Sequence, residues 1–224
     1  MIAKLVLQTF IWFGVMGALL FLSAGTLHWP GAWVYLLGMV GLSLIMGITL
    51  AQRDPGLMNE RLSPPIQKNQ TAADKVLLSI FLLAMLGWQI FMGLDIRYGW
   101  STVPVWAQVV GTLVLLVGIW ICYLTMLENS FAAPVVKIQD ERGQRVITTG
   151  PYSYVRHPMY AGAILFLAGT ALLLGSWWGL ALVLVFIALL AIRTFIEEKT
   201  LRTGLRGYDN YANEVRYRLI PMVW

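Results

Sequence analysis

Six long apolar stretches constrain this chain more than anything else in it: Leu5–Leu27, Ala32–Leu50, Val76–Leu94, Val105–Leu127, Tyr160–Leu174 and Trp178–Ile196. The first four run 19 to 23 residues, which matches the roughly 20 that a helix needs to cross a hydrocarbon core. The fifth has 15 residues, about 22 Å of helix at 1.5 Å per residue, and would need help from its neighbours. Gly175-Ser176-Trp177 is the turn that makes the last two a tight helical hairpin. With 58% hydrophobic and 12% charged residues, about half the charged share of a soluble domain, the chain needs lipid as its solvent. The start, Met1 to Lys4, resembles a signal peptide, but the run behind it is too long for an h-region, so it reads as the first span.

The charges choose an orientation. With the N-terminus inside, fifteen of the sixteen Lys and Arg fall on inner segments, and Arg97 alone lies outside. This is the positive-inside pattern, and it places both termini in the cytoplasm. Trp29, Trp33, Trp100, Trp106, Trp177 and Trp178 gather at the outer turns as an aromatic belt. A net charge of +5 therefore orients a membrane protein and does not signal nucleic acid. The lone Cys122 excludes an internal disulfide framework, and two histidines, His28 and His157, are too few for most metal sites. No HExxH, CxxC, Walker A or GxGxxG motif occurs. The fold class is thus an all-α integral membrane protein of about six transmembrane helices. Residues 1–128 form a four-helix region. Residues 129–224 form a second region of surface segment, helical hairpin and cytoplasmic tail. Asp54-Pro55-Gly56 and Ser63-Pro64-Pro65 punctuate the first inner loop. Val136, Ile138, the turn Asp140–Gly143 and Val146 alternate as a short surface hairpin would.

Outer loops are brief, so the chemistry belongs on the inner face, in two segments that bracket the hairpin. The first is Gly150-Pro151-Tyr152-Ser153-Tyr154-Val155-Arg156-His157-Pro158-Met159-Tyr160. Pro158 suits the first turn of the fifth helix, whose free N–H groups would favour an anion, with Arg156, His157 and Tyr160 around it. The plainer reading is an interfacial anchor for lipid headgroups. The second segment runs from Arg193 through Glu197-Glu198 to Tyr208, Tyr211 and Arg216-Tyr217-Arg218. Arg193 and Glu197, four apart, share a helix face and would form a simple ion pair. However, two carboxylates at the negative end of a helix dipole make more sense beside a cationic ligand.

These segments resemble the isoprenylcysteine carboxyl methyltransferase family and the phospholipid methyltransferases. The resemblance rests on Gly150-Pro151-Tyr152, Val155-Arg156-His157-Pro158 and Tyr160, and on Arg193-x-x-x-Glu197-Glu198-x-x-Leu201 with Gly207, Tyr208 and Tyr211. It covers about residues 129–224. It implies an S-adenosyl-L-methionine-dependent methyltransferase, with cofactor contacts at Gln139, Gln144, Arg145, Val146, Ile147, Tyr152, His157, Pro158, Met159, Tyr160 and Glu197. Relatives often carry histidine where this chain has Gln144. The resemblance gives Arg193 the acceptor's anion, and Glu198 would take the proton of an amine acceptor. The implied partners are the lipid bilayer and a lipophilic, prenylated or lipid acceptor, with no metal and no nucleic acid; a bacterial inner membrane suits the size. Two other classes stay open. An NADPH-dependent sterol-reductase-like enzyme would share the tail Val215–Pro221 but needs more basic residues for a 2′-phosphate. A transporter or scaffold would carry polar residues deep in the spans, which hold few beyond Gln8, Gln89 and Gln108.

Overall fold

A computed structural model describes residues 1–67 and 70–224, and among these it contains helices and no strand. The order is α1 (Ile2–Ala24), α2 (Pro30–Arg53), α3 (Pro55–Arg61), α4 (Ala72–Tyr98), α5 (Val105–Glu128), α6 (Pro158–Leu173), α7 (Trp177–Gly204) and α8 (Tyr208–Glu214). All six expected spans are helices. α1, α2, α4, α5 and α7 are long and apolar enough to cross a membrane, and α6 is the shorter one. Much of the apolar surface faces outward, with Leu22 78% and Val105 74% exposed. Water would penalise such a surface at about 25 cal/mol per Å², whereas lipid accepts it.

Local chemistry sets the helix ends. Asp54 and Pro55, which read as loop punctuation in the sequence, start α3: Asp54 Oδ1 accepts from Leu57 N at 2.8 Å, and Pro55 takes the first turn. Thr71 Oγ1 caps α4 by accepting from Asp74 N at 3.2 Å. Pro158 opens α6 as expected. Gly175, at φ 82°, turns the chain between α6 and α7. Ser176 Oγ then caps α7, accepting from Gly179 N at 2.7 Å and donating to the buried Asp95 of α4. α7 runs past its apolar stretch to Gly204, so Arg193, Glu197 and Glu198 ride one continuous helix.

α6 packs most intimately on α5 rather than on its hairpin partner. Gly111 and Gly118 on α5 face Gly162 and Gly169 on α6, each pair seven residues apart. A Cβ at Gly118 would lie 2.5 Å from Phe166 N, and one at Gly169 would lie 2.5 Å from Gly111 O. The two backbones touch, which is how small residues associate helices where lipid removes the hydrophobic drive. That contact supports a helix only about 24 Å long. Gly169→Leu is therefore expected to destabilise the protein by about 3 kcal/mol, the upper end of overpacking. Gly38→Ala, where a Cβ meets nothing within 4 Å, should be close to neutral. Thermal unfolding in detergent distinguishes the two, and equal shifts would refute the backbone contact.

The expected surface hairpin between Pro134 and Pro151 is not a hairpin. Its backbone donors go elsewhere: Val136 N donates to Asp74 Oδ2 at 2.9 Å, and Gln139 N to Gln144 Oε1 at 2.8 Å. Side chains have replaced the ladder that a second strand would supply. What remains of the prediction is its turn, a single 3-10 turn over Asp140–Arg142 closed by Gly143 at φ 62°. A second such turn covers Gly150–Ser153.

Candidate active site

The end of α3, the N-terminal parts of α4 and α6, the C-terminal parts of α5 and α7, the segment between α5 and α6, and α8 enclose a cavity of about 410 Å³, within the range of small-molecule sites. Leu78, Phe81, Ala163 and Leu190 line one part of it with apolar surface from α4, α6 and α7. Gln144, Arg145, Val146, Ile147, Tyr152, Arg156, His157, Pro158, Met159, Tyr160, Arg193 and Glu197 also line it, so twelve of the fourteen residues singled out from the sequence meet around one space. Gln139 and Glu198 do not line it.

Gln139 is 1% exposed and is fully employed within its loop. Its Nε2 donates to Phe131 O at 2.8 Å, and its Oε1 accepts from Arg142 Nη1 at 2.6 Å. Glu198 lies outside the cavity lining, buried in a cationic nest. Arg156 Nε donates to its Oε1 at 2.7 Å, Arg218 Nε to its Oε2 at 3.1 Å, and His157 Nε2 lies 3.4 Å away. Arg156 also gathers the tail: its Nη1 reaches the carbonyls of Ala212, Val215 and Arg216 at 3.2, 2.8 and 3.0 Å. Next to it, Arg156 N and His157 N donate to Tyr217 O and Arg218 O, both at 2.9 Å. The Arg-His-Pro segment thus holds the C-terminal tail against the C-terminal part of α7.

His157 spans both carboxylates of α7, with Nδ1 3.7 Å from Glu197 Oε2. Its ring stacks on Tyr160 at 5.4 Å and 8°, and Tyr160 Oη donates to Glu197 Oε2. Burial opposes charge on the imidazole, but the Glu197 and Glu198 carboxylates outweigh it and raise the His157 pKa above its ordinary value. The stability this contributes is complete below the ordinary histidine range and is lost as pH rises through the raised value. Tyr152 is held from both ends, its Oη accepting from Asn129 Nδ2 at 2.7 Å and its carbonyl accepting from Tyr211 Oη at 2.8 Å. Burial raises the pKa of Tyr152, Tyr208 and Tyr211, so each keeps its proton as a donor.

Arg193 does not pair with Glu197. Its Nε donates to Asp74 Oδ1 at 3.0 Å and its Nη2 to Pro134 O at 2.6 Å, with the guanidinium 5.7 Å from the centre of the Tyr160 ring. Asp74 is fully buried and takes two further donors, Gln70 Nε2 at 2.7 Å and Val136 N at 2.9 Å. Sequence reasoning missed Asp74, Arg61, Cys122 and Asn129. Asp74 carried one usable signal, a carboxylate three residues after Thr71 at the edge of an apolar run.

Two comparisons with known proteins find similarity. Residues 106–206 match the family described as phospholipid methyltransferase. Among solved structures, the chain is similar to the eukaryotic intramembrane Ras methyltransferase, isoprenylcysteine carboxyl methyltransferase. The two are 21% identical with a TM-score of 0.55, and the match covers 98% of this chain and 87% of that one. No curated protein matches. The resemblance to these two families and the all-helical membrane fold both stand.

Proposed function

We propose that this chain is a membrane methyltransferase, a reading its family match and its fold support, and that it uses S-adenosyl-L-methionine to methylate a carboxylate on a lipophilic acceptor. One observation supports this reading above others: a single cavity joins an apolar wall from the spans to an inner wall holding one carboxylate, Glu197, among tyrosines and His157. S-adenosyl-L-methionine, when bound, supplies an electrophilic methyl on a sulfonium. Glu197, kept ionised by Tyr160 and His157, would hold the cofactor's cationic end. Gln144 to Ile147, Tyr152 and His157 to Tyr160 would hold the rest. Gln139, already committed to its loop, would act on the cofactor only through that loop. Arg193 would hold the acceptor's anion against the apolar wall, where exclusion of water leaves the carboxylate poorly solvated and reactive.

A carboxylate acceptor arrives ionised and needs no general base, whereas an amine must lose a proton. Glu198 was the candidate for that proton. It is instead held by Arg156, Arg218 and His157 away from the cavity, which favours the carboxylate reading. In proteoliposomes with methyl-labelled cofactor, a prenylated cysteine analogue should take up label that alkali releases, as an ester does. Alkali-stable label on phosphatidylethanolamine would overturn the carboxylate assignment. The same reading puts the cavity and both termini on the cytoplasmic side, as in a bacterial inner membrane. Reporters at Trp224 and in the 99–104 connection between α4 and α5 should then report opposite sides, and agreement between them would refute it.

A further inference from the structure

The cavity is lined by five lysine and arginine side chains, and they are not equivalent. Arg156 is neutralised by Glu198, Arg193 by Asp74, and Lys137 by Glu60 at 2.8 Å. Arg145 is exposed to solvent. Arg61, at the end of α3, is partly buried and has no carboxylate within 4.0 Å among the described residues. Its Nη1 donates to Ala132 O at 2.9 Å and sits 3.9 Å from Met159 Sδ. Its Nε and Nη2 donate to nothing among the described residues, although a guanidinium is built to present a fork of N–H donors to a planar anion.

A cation taken out of bulk water without a counter-charge is costly, and proteins keep one where a ligand completes the pair. Burial is what acts on Arg61: it pulls the guanidinium pKa below its ordinary value, as expected of a charge whose partner is missing. One backbone carbonyl explains one donor and leaves the others. Arg61 lies on α3, outside residues 106–206, and it reaches the cavity beside Cys122, Tyr152 and Met159.

We propose that Arg61 is a ligand-binding residue of this cavity and receives a carboxylate through its unpaired Nε–Nη2 edge. The proposal rests on the methyltransferase reading, which brings two carboxylates to the site: the amino-acid carboxylate of S-adenosylmethionine and that of the acceptor. Their chemistry at Arg61 is the same, and deleting the carboxylate from each ligand separates them.

The test uses full-length protein in detergent. Calorimetry compares S-adenosylmethionine with its decarboxylated form, on wild type and on Arg61→Gln. Steady-state kinetics and competition then compare a prenylated cysteine acid with its uncharged amide. If Arg61 holds the cofactor's carboxylate, decarboxylation should weaken binding to wild type roughly tenfold or more, and this difference should collapse to under about twofold in Arg61→Gln. If it holds the acceptor's, cofactor affinity should be unchanged in Arg61→Gln while the KM of the acid rises roughly tenfold and the amide binds as before. Arg61→Lys should recover part of either loss. Should Arg61→Gln fail to fold, wild type alone decides: equal affinity for both cofactor forms and for acid and amide would overturn the proposal. So would carboxylate preferences that are the same in wild type and Arg61→Gln. Absence of any cofactor binding to wild type would instead bring down the methyltransferase reading, and this proposal with it.

Discussion

Asp74→Ala is expected to destabilise the protein by about 3–5 kcal/mol, the cost of leaving one member of a buried ion pair without its partner. Asp74 is fully buried, and its carboxylate is the acceptor for Arg193 Nε, Gln70 Nε2 and Val136 N together. Removing it strands a guanidinium in the C-terminal half of α7, an amide just before α4 and a backbone N–H of the segment that walls the cavity. Each stranded donor adds its own desolvation cost. Asp74→Asn should cost less, because its amide oxygen can still accept. Thermal unfolding in detergent measures the difference, and a change under about 1 kcal/mol in Asp74→Ala would contradict the pairing.

The largest functional effect is expected at Arg193, and here the pairing with Asp74 has to be separated from catalysis. Arg193→Ala alone would strand Asp74, so lost turnover could reflect lost structure. The double replacement Asp74→Leu with Arg193→Met exchanges a buried pair for apolar residues of similar bulk, a change that is often neutral or stabilising. This variant no longer strands a guanidinium but still leaves Gln70 Nε2 and Val136 N without their acceptor, so it should recover part of the stability lost in Asp74→Ala and bind S-adenosylmethionine with nearly unchanged affinity, yet transfer no measurable methyl to a lipophilic acid. Transfer persisting at more than about a tenth of the wild-type rate would make Arg193 a structural residue. In that case Arg61 alone would remain as the cavity's anion ligand.

The spans were legible because their signal is compositional. Twenty apolar residues cannot be placed in water, whatever their neighbours do. Pro158 and Gly175 marked real boundaries for equally local reasons, a fixed φ and a positive one. The chemistry was legible only as far as residue type reaches. Glu197 and Glu198 are adjacent and read alike, but neighbouring positions on a helix point about 100° apart. One therefore faces the cavity while the other faces the tail. Arg193 read as a partner of Glu197 because both lie on one helix; its actual partner is 119 residues away on α4. The segment after Pro134 alternated like a strand, and nothing local revealed that Asp74 and the Gln144 side chain would take its N–H groups. The four glycines between α5 and α6 are spaced regularly, but spacing within one helix does not say which helix faces it.

The central claim is that the cavity among the ends of the spans is an S-adenosylmethionine site built on Glu197, His157 and Tyr160. Calorimetric titration of the purified protein with S-adenosylmethionine, and separately with NADPH, tests it most directly. The account predicts saturable binding of S-adenosylmethionine and none of NADPH. Binding should weaken roughly tenfold or more in Glu197→Gln, which removes a charge-assisted contact of about 1.5–3 kcal/mol, and should also weaken in His157→Ala and Tyr160→Phe. NADPH binding in the absence of S-adenosylmethionine binding, or cofactor affinity unchanged across all three variants, would contradict it.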